Sequence, residues 1–287
     1  MKNERFYFKS SPTTGFYWDG KLLEESHSQY QKISVINNEE MGNTLILDDY
    51  IMISETDEHQ YHELIVHPNC SQLSSHNRAL IIGGGDGLCA EEMLKYQFQS
   101  VDMVEIDEQV SKVSQKYFSK QLGNTFSNSR LHTHYQDALV FLKNLPKDNK
   151  YDFIALDLND PTEDFMHSHP LYSSNFYELC KSHLSSKGVM VAQIGCPHLF
   201  QEHFLRNLKT LQSMFKHYMI YGMYMRCYGT YQYFIACSDY IDVNNPNYTY
   251  MEQQLLQLDS EPLKLYNLDM HKSMFFLNNE IKNILLK

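Results

Sequence analysis

Apolar positions recur with two different periods along the 287-residue chain, and the changeover near Asp57 divides it. Before that point the apolar runs are short and broken by polar residues. Phe16-Tyr17-Trp18, Asp19-Gly20 and Lys21-Leu22-Leu23 predict a hairpin turning at Asp-Gly. Ile33–Ile36 and Thr44–Leu47 predict further strands, separated by the polar run 37–42. After Asp57, Tyr61, Leu64 and Ile65 fall at helical spacing, and Pro68 predicts the end of that helix. From residue 79 strands and helices alternate. Strands are expected at 79–82, 101–106, 131–135, 153–156 and 189–192, then at 217–225 and 231–237. Helices are expected at 88–96, 108–118, 138–143, 172–184 and 200–215. Repeated strand–helix units imply a parallel, doubly wound α/β sheet. The expected organisation is a β-rich N-terminal domain over residues 1–60 and an α/β domain over 61–287.

Composition narrows the partners. The chain holds 24 Lys+Arg against 35 Asp+Glu, a formal charge of −11, and 43% of it is hydrophobic. A core of ordinary size can form, and the acid excess argues against nucleic acid or an anionic membrane as the main partner. A cationic small molecule suits it. No apolar run approaches the ~18 residues of a membrane span. The six cysteines are dispersed, with no Cys-x-x-Cys pair, as expected of reduced thiols in a cytoplasmic protein.

Four of the 12 glycines fall within five positions, Gly83, Gly84, Gly85 and Gly87. This turn follows an apolar strand and opens a helix, where glycines allow close approach of a ligand. Glu105 follows ~20 residues later at the end of the next strand, where an acid can bond ribose hydroxyls. Leu88 takes the third glycine of the dinucleotide fingerprint, which favours a single nucleoside over a pyrophosphate. Asp137 ends another strand; its position suits either that ligand crevice or the N-cap of the helix opening at Ala138.

Asp157-Leu158-Asn159-Asp160-Pro161 closes a further strand. Two carboxylates three residues apart suit a base and a cation holder in one crevice, while Asp-Pro alone reads as an Asx-type turn. The glycine turn upstream favours the crevice. His132 with His134, and His167 with His169, lack a third ligand nearby and are read as solvated or supporting histidines, so no metal is expected. Cys196 has no evident activating partner and reads as a buried thiol. Met214, Met219, Met223 and Met225 read as core filling.

Taken together, the chain resembles the polyamine aminopropyltransferases, that is, spermidine synthases and their thermospermine-forming relatives. The resemblance is carried by Ser28–Gln31, Leu47–Asp49, Ser54–Glu58, Tyr61-His62-Glu63, Leu80–Gly87, Glu105–Asp107 and Asp157–Pro161, in the family's order and spacing. It implies a small β-rich domain, usually the oligomerisation element of a homodimer or homotetramer, followed by a Rossmann-like, class I methyltransferase-like domain. The implied reaction moves an aminopropyl group from decarboxylated S-adenosylmethionine to an amine, with no cofactor beyond that co-substrate. By position, Gln31, Gly83, Gly85, Asp86, Glu105, Asp137 and Ala138 would hold the donor, with Glu105 on the ribose and Asp137 near the adenine. His62 and Asp86 would line its propylamine end. Asp157 would accept the proton, with Tyr61 beside it, and Asp160, Tyr61, Gln193 and Tyr228 would position the acceptor.

The charge logic agrees. The donor lacks a carboxylate and its arm ends in a cation, which Asp86 attracts; the same Asp would repel intact S-adenosylmethionine, the donor of a class I methyltransferase. Departures from the family pattern lie mostly on the acceptor side. Met52 stands where many spermidine synthases have Gln, and Thr162–Pro170 is longer than the usual gatekeeping loop and lacks its Gly-Pro pattern. Arg226–Thr230 keeps Tyr228 but not the neighbouring prolines and Trp. Leu88 and Ala138 each replace a common family Gly. Donor identity is therefore firmer than acceptor identity. Putrescine, giving spermidine, is the expected acceptor; transfer to spermidine, cadaverine or agmatine, a class I methyltransferase and a binding protein without turnover are the alternatives.

Overall fold

The structure, a computed structural model, describes residues 3–160, 170–258 and 263–285. Five antiparallel strands form the first sheet: β1 (Glu4–Ser11), β2 (Thr14–His27), β3 (Lys32–Asn38), β4 (Gly42–Leu47) and β5 (Tyr50–Ser54), in sequential order. The hairpin expected at Asp19-Gly20 is not there. β2 runs unbroken through both residues, and the turn lies between Ser11 and Thr14. Asp19 is held mid-strand by Arg5 on β1, whose guanidinium donates to both carboxylate oxygens at 2.9 and 3.1 Å. Gly20 is extended because the β3 backbone passes close; a Cβ there would stand 2.8 Å from the Asn37 carbonyl oxygen.

Helix α1 (Glu58–Cys70) leads into the second unit, and Pro68 lies inside it rather than at its end. Proline removes the N–H that would bond the Leu64 carbonyl. Tyr221 replaces that donor, its hydroxyl reaching the Leu64 oxygen at 3.0 Å. The helix therefore continues for two more residues.

The remaining elements are β6 (Arg78–Gly83), α2 (Leu88–Leu94), β7 (Ser100–Glu105), α3 (Glu108–Tyr117), α4 (Ser119–Leu122), β8 (Leu131–Tyr135), α5 (Ala138–Asn144), β9 (Tyr151–Asp157) and α6 (Ser174–Ser182). They are followed by β10 (Leu184–Gly195), α7 (Gln201–Met214), β11 (His217–Met225) and β12 (Thr230–Ser238). Helices α8 (Tyr248–Leu256), α9 (Leu268–Ser273) and α10 (Asn279–Leu285) close the described chain. The second sheet has the order β11-β12-β10-β9-β6-β7-β8. Its β10-β9-β6-β7-β8 part is parallel, as doubly wound units require, while β12 and β11 join antiparallel. The sheet is Rossmann-like and mixed.

Alternate residues of each central strand face opposite layers. Ala79 and Ile81 pack with α1, α2 and the C-terminal segment, whereas Leu80 and Ile82 pack with α5, α6 and α7. A third apolar cluster joins the two sheets' units, with Ile33, Val35, Leu45 and Leu47 against Val110, Val113 and Leu88. Leu88, a bulky residue in the glycine turn, thus fills the junction with the N-terminal sheet. No helix of the described residues is long and apolar enough to cross a membrane.

Candidate active site

β6 and β9 are neighbours, yet the chain winds away from them in opposite directions, and ligands bind at the carboxyl ends of such a pair. Gly83 is the register partner of Asp157 across this switch point. Its φ is +82°, and a Cβ would stand 2.1 Å from the Asp157 carbonyl oxygen, so only glycine fits. At Gly85 a Cβ would lie 2.7 Å from the Glu105 carboxylate. The turn therefore lets the ends of the two strands that flank β6, at Asp157 and Glu105, approach it from either side.

Every candidate position named from the sequence borders the crevice above this turn: Gln31, Tyr61, His62, Gly83, Gly85, Asp86, Glu105, Asp137, Ala138, Asp157, Asp160, Gln193 and Tyr228. On one side lie the residues of the glycine turn. Glu105 accepts from the Asp107 backbone N–H at 2.8 Å; burial still raises its pKa to about 7. Asp137 accepts from the Val140 N–H at 2.9 Å, so it caps α5 and borders the crevice at once. Gln31 donates to Asp107 at 2.9 Å, and Ser28 donates to the same oxygen at 2.6 Å. These bonds tie the N-terminal sheet to the loop before α3. Gln31 Oε1 is buried with no partner among the described residues. Asp86 accepts from the Leu88 N–H at 2.8 Å and faces His62, whose Nε2 is 3.7 Å away.

Across the crevice, Asp157 Oδ1 accepts from Tyr61 Oη at 2.7 Å, and its Oδ2 is buried without a partner among the described residues. Burial and the neighbouring Asp86 charge raise its pKa to about 6, against the opposing pull of His62 and the Tyr61 bond. Burial likewise lifts Asp160 to about 6, though Gln193 and Gln232 both bond its carboxylate, Gln193 Nε2 at 2.7 Å from Oδ1. Tyr228 donates to the Met52 carbonyl at 2.5 Å and meets Tyr61 edge-on at 6.5 Å. Burial pushes both phenols well above their ordinary pKa, so they stay neutral donors.

Several residues at or beside the crevice have no part in the site on the sequence reading, which takes Met52 and Cys196 only as a departure from the family pattern and a buried thiol. Gln232 is the one amide in strand β12, a weak signal that points to Asp160 only once the fold is known. Gly195 has φ +78°, and a Cβ there would lie 2.8 Å from Asp160 Oδ1; the carboxylate rests on its bare Cα. β5 contributes Tyr50–Ile53, and β1 contributes Lys9. Cys196 also borders the crevice and contacts Thr230, Sγ to Oγ1 3.1 Å. His134 lies outside it, held by Asp102 at 2.8 Å. Among the described residues no group of three or more His, Cys, Asp or Glu is placed to hold a metal ion. His167, His169 and the expected gatekeeping loop, save Pro170, lie outside the described residues.

Comparison with known proteins identifies the family. Residues 58–246 match the spermine/spermidine synthase domain, and residues 19–55 match the spermidine synthase tetramerisation domain. A polyamine aminopropyltransferase of Prochlorococcus marinus strain MIT 9301 is 35% identical over 263 residues, covering 91% of this chain and 90% of the relative. That of strain MIT 9312 is 41% identical over 202 residues, 70% of each. Among solved structures, a spermidine synthase in complex with the transition-state analogue AdoDATO superposes with a TM-score of 0.89 at 24% identity, over 98% of this chain and 94% of the other. Spermidine synthase from Thermotoga maritima gives 0.86 at 23%, with the same coverage. Those two speak for the fold; the sequence matches and the family domains speak for descent. The chain belongs to the spermine/spermidine synthase family of polyamine aminopropyltransferases.

Proposed function

We propose that this chain transfers the aminopropyl group of decarboxylated S-adenosylmethionine to a polyamine acceptor, putrescine giving spermidine, with release of 5'-methylthioadenosine. One observation carries the reading: Asp86, Asp157 and Asp160 stand along a single crevice that Glu105 and Asp137 also border. Both substrates are cations, and such a crevice concentrates them. Glu105 takes the donor ribose and Asp137 the adenine side, Gln31 offers its unpartnered Oε1 to the donor, and Gly83, Gly85 and Ala138 let the nucleoside approach the backbone. Asp86 and His62 face its propylamine arm. A donor that kept its carboxylate would be repelled by Asp86, which disfavours methyl transfer from S-adenosylmethionine.

Attack on the sulfonium-bound carbon needs a neutral amine. At a pKa of ~10.4, an acceptor amine costs roughly 4.6 kcal/mol to deprotonate at pH 7. Asp157, ionised above about pH 6 and oriented by Tyr61, accepts that proton. The neighbouring sulfonium lowers the amine's own pKa and eases the transfer. The new N–C bond forms as the C–S bond breaks, its electrons going to sulfur, which leaves as a neutral thioether. The displacement calls for no metal and no cofactor beyond the co-substrate. Asp160, held by Gln193 and Gln232, takes the distal ammonium, with Tyr228 along the channel wall. The 19–55 match supports assembly into a homodimer or homotetramer, and six free buried thiols suit a cytoplasmic setting.

Mass spectrometry tests the reading with decarboxylated donor and a panel of putrescine, cadaverine, agmatine, spermidine and norspermidine as competing acceptors. Spermidine and methylthioadenosine are expected as main products, and Asp157→Asn should lower turnover by several orders of magnitude. Preference for another acceptor would move the assignment within the family. Conversion of none would end it.

A further inference from the structure

His62 is 1% exposed and lies between the hydrogen-bond acceptors of Glu58 and, at ion-pair distance, the Asp86 carboxylate. Its Nδ1 is 2.7 Å from the Glu58 carbonyl oxygen and 3.3 Å from Glu58 Oε2, while Nε2 is 3.7 Å from Asp86 Oδ1. A carbonyl has no proton to give, so Nδ1 carries a hydrogen. Nε2 faces a carboxylate, where an N–H attracts and a lone pair repels. Both nitrogens are therefore protonated in the resting site, and the ring is an imidazolium.

The charges around it agree. Glu58 and Tyr61 face it from its own helix, Asp86 from the glycine turn and Asp157 from β9. Lys264, from the C-terminal segment, acts through Glu58, with Nζ 3.7 Å from Oε1, and Glu91 of α2 feels the same carboxylate. Burial alone would discharge the ring. The Glu58 hydrogen bond and the fields of Asp86 and Asp157 outweigh it and raise the pKa to about 9.

The donor of the proposed reaction brings two more positive charges, a sulfonium and an ammonium, into this corner. Two cations ~4 Å apart at an effective dielectric of ~20 weaken each other's hold on a proton about a thousand-fold. We propose that His62 is the resting counter-ion of Asp86, and that donor binding expels its Nε2 proton to solvent. The neutral ring then turns a lone pair to the donor's ammonium and changes from a competitor for Asp86 into a second acceptor. One proton leaves for each donor bound, and it returns when the cationic arm leaves the site as part of the polyamine product. This rests on the aminopropyl-donor reading and adds to it a proton-coupled binding step.

Titration calorimetry in buffers of different ionisation enthalpy counts the proton. At pH 8.5 Asp157, Asp160 and Glu105 are ionised almost completely, while His62 is still mostly protonated. Decarboxylated S-adenosylmethionine should release roughly 0.8 proton per site. Methylthioadenosine, which lacks the cationic arm, should release close to none. His62→Gln should abolish the release. If that variant folds poorly, Glu58→Gln provides the second arm: it weakens the ring's hold on its proton, so release shrinks at pH 8.5 and reappears nearer neutrality. Donor binding without proton release, equal release by both ligands, or full release in His62→Gln each overturns the inference and leaves the reaction untouched. Failure of the donor to bind overturns the reaction itself.

Discussion

Asp157 is pulled in two directions. Tyr61 and His62 favour its charge, whereas burial and Asp86 oppose it, and the opposition prevails. A carboxylate in that balance is available as a base at neutral pH but costs the fold stability. Its folded pKa, about 6, exceeds the ordinary 3.8, so the native state binds the proton more tightly than the unfolded chain. Stability is then fully present below about pH 4 and falls as pH rises toward 6. Asp157→Asn removes that dependence and keeps an oxygen to accept from Tyr61. At pH 8 the variant should be more stable than the parent by on the order of 1–3 kcal/mol. At pH 3.5 the difference should vanish. Urea denaturation at both pH values checks this, and equal stability at pH 8 would show that the site does not strain the carboxylate. The gain in stability would accompany the loss of turnover, as expected of a charge kept for chemistry.

Helix α1 shows where local reading stops. Proline predicts an end, and the sequence places nothing nearby to replace the missing N–H; the replacement, Tyr221, is more than 150 residues away. The same hydroxyl accepts from Asn69 Nδ2 at 2.9 Å. Tyr221→Phe should leave the buried Leu64 carbonyl unsatisfied at a cost of about 1–3 kcal/mol, lowering Tm by roughly 2–10 °C. An unchanged Tm would mean the helix end is held by packing alone. The glycine turn, Glu105 and Asp157 were legible because a strand–turn–helix signal is local and each acid ends its own strand. The continuous β2 was not, because Asp19 and Gly20 owe their extended shape to Arg5 and to the Asn37 carbonyl across the sheet. Nor were Gly195 and Gln232, whose parts in the site exist only through contact with Asp160. The short terminal helices α8–α10 were missed for a related reason: each buries only one or two side chains, Met251, His271, and Ile281 with Ile284, too few to make a clear pattern.

At the scale of the whole molecule, the −11 charge was compatible with many proteins, and its placement is more telling than its size. Five acids, Asp86, Glu105, Asp137, Asp157 and Asp160, border one crevice with a lone lysine, Lys9, among its described neighbours. Charges spread over a surface are screened beyond ~8–10 Å at physiological ionic strength, while charges set in a low-dielectric cleft keep their field at its mouth. Polycationic substrates should therefore be steered to the site, and steering acts on encounter rather than on chemistry. The expected signature is a kcat/KM for the acceptor that falls several-fold between ~0.02 and ~0.5 M NaCl, more steeply for a triamine than for a diamine, with kcat nearly constant. An uncharged osmolyte at equal osmolality should leave both unchanged. A kcat that fell in parallel would place the salt effect on the chemical step, and a flat kcat/KM would mean that the crevice acids act only after contact. Either result would rule out long-range steering and leave recognition to short-range contacts with groups such as Asp160, Gln193 and Tyr228.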